Sequence, residues 1–155
     1  MKLNDPQKYV LIIGKGLSYK LLQEGEKCTF SKPSTVRGIA KIYTISQNKD
    51  LYYVGIAKQP MSSRINGGLK AKGKHGYSGY KWKNKKGALQ LNVWTVQENG
   101  KYLSFSEVEI IEAEVAYICR NISNNWPKFQ HEIHFHQSKA NHRKLAKTIY
   151  NAATK

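Results

Sequence analysis

The chain has 155 residues, 40% of them hydrophobic, and carries a formal net charge of +16 with a pI near 9.8. That hydrophobic content supports a packed core and excludes a disordered polyelectrolyte. No apolar run approaches the ~20 residues of a membrane-spanning helix, and the short YVLII after LNDPQ is wrong for a signal peptide.

Asp5 followed by Pro6 has the form of a helix start, N-cap then first turn. KYVLIIGKGLSYKLLQ then predicts one or two short helices interrupted by Gly14 and Gly16. Residues 24–36 have the composition of a loop. IAKIYTI and LYYVGI are β-branched and aromatic runs separated by SQNKD, which predicts a hairpin. Pro60 opens a helix with Met61, Ile65 and Leu69 on one face. Gly73 to Gly79 is a glycine-rich loop, and ALQLNVWTV alternates as a third strand. Ser104 or Ser106 caps a helix whose apolar stripe is Val108, Ile111, Val115, Ile118 and Ile122, each serine having a glutamate three residues on. KFQHEIHFH reads as a short strand or extended segment, and SKANHRKLAKTIYNAA as a basic helix. The expected fold is α+β: a small central three-stranded antiparallel sheet flanked by helices. Its parts are an N-terminal helical extension over 1–36, a core over 37–137 and a basic C-terminal helix over 138–155.

A charge this unbalanced repels itself and points to an anionic partner, above all nucleic acid. Cys28 and Cys119 lie far apart with no metal-type spacing, which fits two reduced thiols in a cytoplasmic protein. LKAKGKHGYSGYKWKNKK holds seven lysines among four aromatic residues. Lys70, Lys72, Lys74, Lys81 and Lys83 can neutralise phosphates, and Tyr77, Tyr80 and Trp82 can stack on bases or form a local cluster. Arg143 and Lys144 in NHRKLAK add a second basic face. His134 and His136 share one face of HEIHFH and suit a phosphate-facing edge. A zinc site there is the sharper alternative.

Lys41, Tyr43 and Ile45 share one strand face, and Tyr53 shares its own with Leu51 and Gly55. Gly55 leaves the surface beside Tyr53 open, and Arg64 follows on the next helix. Packing inside the hairpin is the ordinary use of such tyrosines. Phosphodiester cleavage needs a base, a cation-binding carboxylate and a positive charge on the phosphorane. Four of the ten acidic residues fall in EVEIIEAE. Glu109 points away from the apolar stripe, while Glu112 and Glu114 sit on its opposite borders, and geometry does not choose between them.

The ordered set KIY at Lys41–Tyr43, YVG at Tyr53–Gly55, Arg64 and a helical Glu in IIEAEVAYI resembles the GIY-YIG nuclease superfamily over roughly residues 38–130. MSSRINGGLK, GYSGYKWK and NNWPKFQHEIHFH look like its small type II restriction endonucleases. The resemblance implies a double-stranded DNA endonuclease using magnesium, with manganese as a substitute, and often a homodimer or homotetramer. It implies 5′-phosphate and 3′-hydroxyl products. It assigns Tyr43 to the general base, Tyr53 to support of the water or phosphate, Arg64 to the scissile phosphate and Glu114 to the metal. His75 resembles an auxiliary histidine of some members, and Gln130 falls where many carry an asparagine at the DNA. Lys58, with Lys41, would lower the pKa of a nearby tyrosine. The sequence departs from the pattern in having Lys41 where glycine is usual and one extra residue between Gly55 and Arg64. A structure-selective or nonspecific nuclease and a non-catalytic nucleic-acid-binding module are the competing readings.

Overall fold

In the computed structural model, which describes all of residues 1–155, the chain forms nine strands and three α-helices. In order these are β1 (Lys2–Leu3), β2 (Gln7–Ile13), β3 (Tyr19–Gln23), β4 (Glu26–Lys27), β5 (Lys41–Gln47), β6 (Asp50–Ala57), α1 (Met61–Lys70), β7 (Ala88–Trp94), β8 (Val96–Glu98), β9 (Lys101–Tyr102), α2 (Phe105–Ser123) and α3 (Ala140–Ala153). The main sheet has six antiparallel strands in the order β4-β3-β2-β7-β5-β6. A second sheet, β1-β8-β9, carries three short strands. The fold is therefore α+β, with the expected trio β7, β5 and β6 as one half of a wider sheet. No helix is long and apolar enough to cross a membrane.

The N-terminal helical expectation is overturned. Residues 7–23 form a hairpin that lies along β7, with Tyr9 opposite Leu91 and Leu11 opposite Leu89. Tyr9, Leu11 and Leu21 are buried in the same core as β5, β6 and β7. Alternation of buried and half-exposed positions along QKYVLII is a strand period, and the β-branched and aromatic content suits it. Gly14 and Gly16 mark the turn of this hairpin, Gly16 at φ 72° in the left-handed region.

The main sheet separates two cores. On one face Tyr43, Ile45, Tyr53, Leu89 and Leu91 pack against Met61, Ile65 and Leu69 of α1, and against Tyr80 and Trp82. On the other, Ile42, Val54 and Trp94 meet Val108, Ile111, Val115 and Ala116 of α2 and Leu145, Ala146 and Ile149 of α3. Strand periodicity thus hands alternate residues of β5 to opposite cores.

β6 is an edge strand, and it is covered by chain rather than left open. The Lys128 and Phe129 amides donate to the carbonyls of Leu51 (3.2 Å) and Tyr52 (2.8 Å). Gln130 then replaces a peptide group with its side chain: Oε1 accepts from the Val54 amide at 2.9 Å and Nε2 donates to the Val54 carbonyl at 2.8 Å. Residues 131–139 form no strand. His136 Nε2 and Glu109 Oε2, 2.8 Å apart, and His142 Nε2 and Glu107 Oε2, also 2.8 Å apart, bind this stretch and α3 to α2.

Candidate functional site

Gly55 lies opposite Tyr43 in the β5–β6 ladder. A Cβ there would stand 2.5 Å from Cε1 of Tyr53 and 2.8 Å from Cζ and the hydroxyl of Tyr43. The glycine of YVG is therefore what lets the two tyrosine rings approach to 5.8 Å between centroids. A β-bulge at Ile45/Ser46 explains the adjacent tyrosines of this motif. Tyr52 is the unpaired residue of the bulge, so it and Tyr53 both enter the first core.

The third tyrosine comes from the lysine-rich segment. Tyr80 stacks on Trp82 at 4.3 Å and stands edge-on to Tyr53 at 5.5 Å. It lies flat against α1 at Gly68, where any side chain would run into its ring. The Tyr80 hydroxyl donates to the Arg64 carbonyl at 3.3 Å, which leaves Tyr43 as the donor in the 2.8 Å bond between the two hydroxyls. Both rings are essentially without solvent exposure, as is Trp82. Tyr80 and Trp82, expected at the DNA, are core residues instead. A lysine-rich sequence still anchors its loop by burying its largest aromatics.

Arg64 crosses this cluster. Its guanidinium lies 5.0 Å from the Tyr80 ring centroid and donates to the hydroxyls of Tyr77 (2.7 Å) and Tyr53 (3.4 Å). Burial opposes its charge, but the oxygens of Tyr43, Tyr80 and Tyr53 and the Tyr77 bond outweigh that, so Arg64 stays cationic. Tyr53 is pushed above the usual phenol value by burial, with Arg64 opposing. Tyr43 is pushed well above it, by burial first and then by the neighbouring Tyr53 and Tyr80. A phenol in that state orients a partner through a hydrogen bond but does not ionise at neutral pH.

The carboxyl near enough to Arg64 and Tyr53 to be electrostatically coupled to both is Glu112. Burial drives its pKa up to about 8, the nearby Glu109 adds to this, and Arg64 opposes it. Glu112 also contributes to the rise at Tyr53. Glu114, to which the resemblance gives the metal, is not among the largest influences on Tyr53, while Glu112 is. The two glutamates are about 200° apart around a helix. The packed stripe of α2 includes Ala116 and Cys119, while Ile122 is exposed. Counting large residues alone turned the stripe, which is why the borders looked equivalent. The true stripe, through Val108, Val115, Ala116 and Cys119, brackets Glu112.

Other expected residues go elsewhere. Lys41 turns its amine to the carbonyls of Val36 (2.8 Å), Ile39 (2.8 Å) and Lys58 (3.4 Å), and burial with nearby Arg37 lowers its own pKa to about 8. The Lys58 ammonium lies 5.2 Å from the Phe105 ring centroid, at the start of α2. Neither lysine is among the largest influences on Tyr43 or Tyr53. His75 is exposed at φ 57° on the loop, without a hydrogen bond. The Gln130 amide is committed to β6 rather than presented to a ligand.

Lys70, Lys72, Lys74, Lys81, His134, His136, Arg143 and Lys144 are exposed. Lys81 reaches the Gln130 carbonyl (3.3 Å), while Lys83, half-buried, closes the loop onto the carbonyls of Ala71 (3.1 Å) and Ser78 (2.8 Å). Arg143 holds Ser138 at the start of α3.

His131 joins the site unannounced. Its ring stands edge-on to Tyr53 at 5.8 Å, and its Nε2 is buried without a partner. Burial, Lys81 and Arg64 lower its pKa, so it is neutral at pH 7. Its neighbour Gln130 fixes it at the β6 edge, and that pairing carries no sequence signal beyond the motif position.

Glu112 makes no hydrogen bond or ion pair, and no three His, Cys, Asp or Glu side chains cluster to hold a metal by themselves. A lone half-buried carboxyl fits magnesium, which displaces its proton on binding, keeps most of its own waters and takes oxygens from a substrate phosphate. Comparison with protein-family models, with curated proteins and with solved structures finds no match to the chain.

Proposed function

We propose that the protein is a magnesium-dependent endonuclease of double-stranded DNA. It hydrolyses phosphodiesters to 5′-phosphate and 3′-hydroxyl ends, in the manner of the small restriction enzymes of the GIY-YIG superfamily. What carries the proposal is the bond from the Arg64 guanidinium to the Tyr53 hydroxyl, with Glu112 of α2 near enough for its charge to act on Tyr53 and be acted on by Arg64. Three separated stretches of sequence bring a phosphate-binding cation, a hydroxyl and a carboxyl without a protein partner into one electrostatic neighbourhood.

Arg64 is held cationic by tyrosine oxygens and is suited to grip a scissile phosphate. Tyr53 is fixed by that guanidinium and orients what lies beside the phosphate. Glu112, with manganese as an alternative ion, would hold the cation; when bound, magnesium supplies Lewis-acid charge to the phosphate. Tyr43 and Tyr80 position Arg64 through their linked hydroxyls. Because Tyr43 is fully buried with a raised pKa, its part is orientation rather than proton removal. The exposed lysines at 70, 72 and 74 and the basic face of α3 supply the sequence-independent grip on DNA.

The burial of Tyr43 and Tyr80 also favours a second reading, a non-catalytic DNA-binding module in which these residues are scaffold. Plasmid and long linear DNA incubated with magnesium or EDTA decide between them. Discrete magnesium-dependent fragments, lost in Glu112→Gln and retained in Glu114→Gln, are the expected result. Smearing or nicking would move the protein to a structure-selective or nonspecific nuclease. Salt-sensitive binding without cleavage would leave the binding module.

A further inference from the structure

Beside the site, across the β6 edge, lies a cavity of about 280 Å³ lined by Trp126, Pro127, Gln130, His131, Ile133 and Phe135. Trp126 and Phe135 are 45% and 54% exposed, and their rings sit 5.8 Å apart at 55°. Large aromatics left in water beside a concave apolar wall are the unusual observation here. His131 is the shared wall: it lines this cavity, it lines the cleft formed by Tyr77, Tyr80 and Lys81, and it touches Tyr53. Its partnerless buried Nε2 gives the wall an unused hydrogen-bonding group.

We propose that this cavity receives one nucleobase swung out of a DNA duplex whose backbone lies on Arg64. The inference rests on the DNA reading given above. The size suits one ring system, since drug-sized ligands occupy about 300–1,000 Å³. Trp126, Phe135 and Ile133 give the walls aromatic and apolar surface, and His131 and Gln130 add polar edges, a mixture that suits a base better than a phosphate. The charges that act on His131 are the cations Lys81 and Arg64, and Glu109 is paired with His136 next to Phe135, so the net field at this wall attracts a nucleic acid strand and, with the chain's +16, disfavours a second copy. Extrusion would place a base against Trp126 while its phosphate stays within reach of Arg64.

Tryptophan fluorescence reads this directly, because Trp82 and Trp94 are 0% and 1% exposed and only Trp126 can meet a base. The protein is titrated in EDTA with a short paired duplex and with the same duplex carrying one extrahelical adenine, while fluorescence anisotropy of labelled DNA reports binding. Both duplexes bind; the bulged one binds roughly tenfold more tightly, because its base is already unstacked. It quenches the tryptophan signal, and Trp126→Phe abolishes that quench. Phe135→Ala removes the preference and leaves affinity for the paired duplex within about twofold; both side chains are exposed, so neither change opens the core. Binding without a quench, or equal affinity for the two duplexes, overturns the pocket and leaves the DNA reading standing. Anisotropy flat with both duplexes overturns the DNA reading and the pocket with it. A quench that grows with protein concentration in the absence of DNA assigns the cavity to self-association and overturns it as well.

Discussion

Single atoms decide this site. At Gly55 a methyl group would meet two tyrosine rings that are themselves packed on Tyr80 and Trp82 and have nowhere to go. Gly55→Ala is expected to cost about 1–3 kcal/mol by overpacking. At this chain size that lowers Tm by roughly 2–4 °C per kcal/mol, which thermal denaturation measures; a variant melting with the parent would show that the rings do not need the glycine. Glu112 gives a second handle. Its folded pKa of about 8 lies above the ordinary 4.5, so the folded chain holds this proton more tightly than the unfolded chain. Its contribution to stability is then complete below about 4.5 and is lost as pH rises through about 8. In EDTA, Glu112→Gln should melt with the parent at pH 4.5 and several degrees above it at pH 8.5. Equal melting at both pH values would mean that the carboxyl is not held away from water.

At the scale of elements, Gln130 shows a side chain acting as a strand. Its amide closes the β6 edge beyond the backbone bonds of Lys128 and Phe129. Gln130→Ala should leave the Val54 amide and carbonyl unpaired, at about 1–3 kcal/mol. Hydrogen exchange should rise at Val54 and stay unchanged at Ile42 on β5; equal protection at Val54 in both proteins would exclude the closure. The hairpin β5–β6, helix α1, strand β7 and the Ser104 cap of α2 were legible, because each carries a local signal: alternation, a turn pentapeptide, proline at a helix start, serine before glutamate. The N-terminal strands were not, because consecutive apolar residues such as Tyr9 to Ile13 fit a helix and a buried strand equally. Their pairing with Leu89 and Leu91, some eighty residues away, settles the matter and leaves no mark nearby. Tyr43, Tyr53 and Arg64 were legible as a set by motif. Glu112 was hidden by the small residues of α2, and His131 by its dependence on a side-chain pairing.

Over the whole molecule the charge of +16 is not spread evenly through function. Lys41 and Lys83 turn their amines onto backbone carbonyls, and the Lys58 and Lys128 ammoniums lie over aromatic rings. Lys70, Lys72 and Lys74 differ: they are exposed, clustered at the end of α1 and the loop after it, and their side chains make no hydrogen bond or ion pair. No acidic residue lies in the sequence between Asp50 and Glu98 to balance them. Each such lysine that neutralises a phosphate releases a counterion and adds about 0.9 to the steepness of log affinity against log salt. Replacing all three by glutamate should therefore weaken duplex binding in EDTA and flatten its salt dependence by about 2.7. The substitutions lie outside both cores, so Tm should hold. Magnesium need not be present, because this grip is made by lysines alone. A parental slope in the triple variant would mean that the DNA runs elsewhere, with Arg143 and Lys144 on α3 as another exposed basic face. A loss of the slope that leaves Glu112-dependent cleavage intact at low salt would separate the two parts of the molecule, the lysines holding the duplex and the β6 edge acting on it.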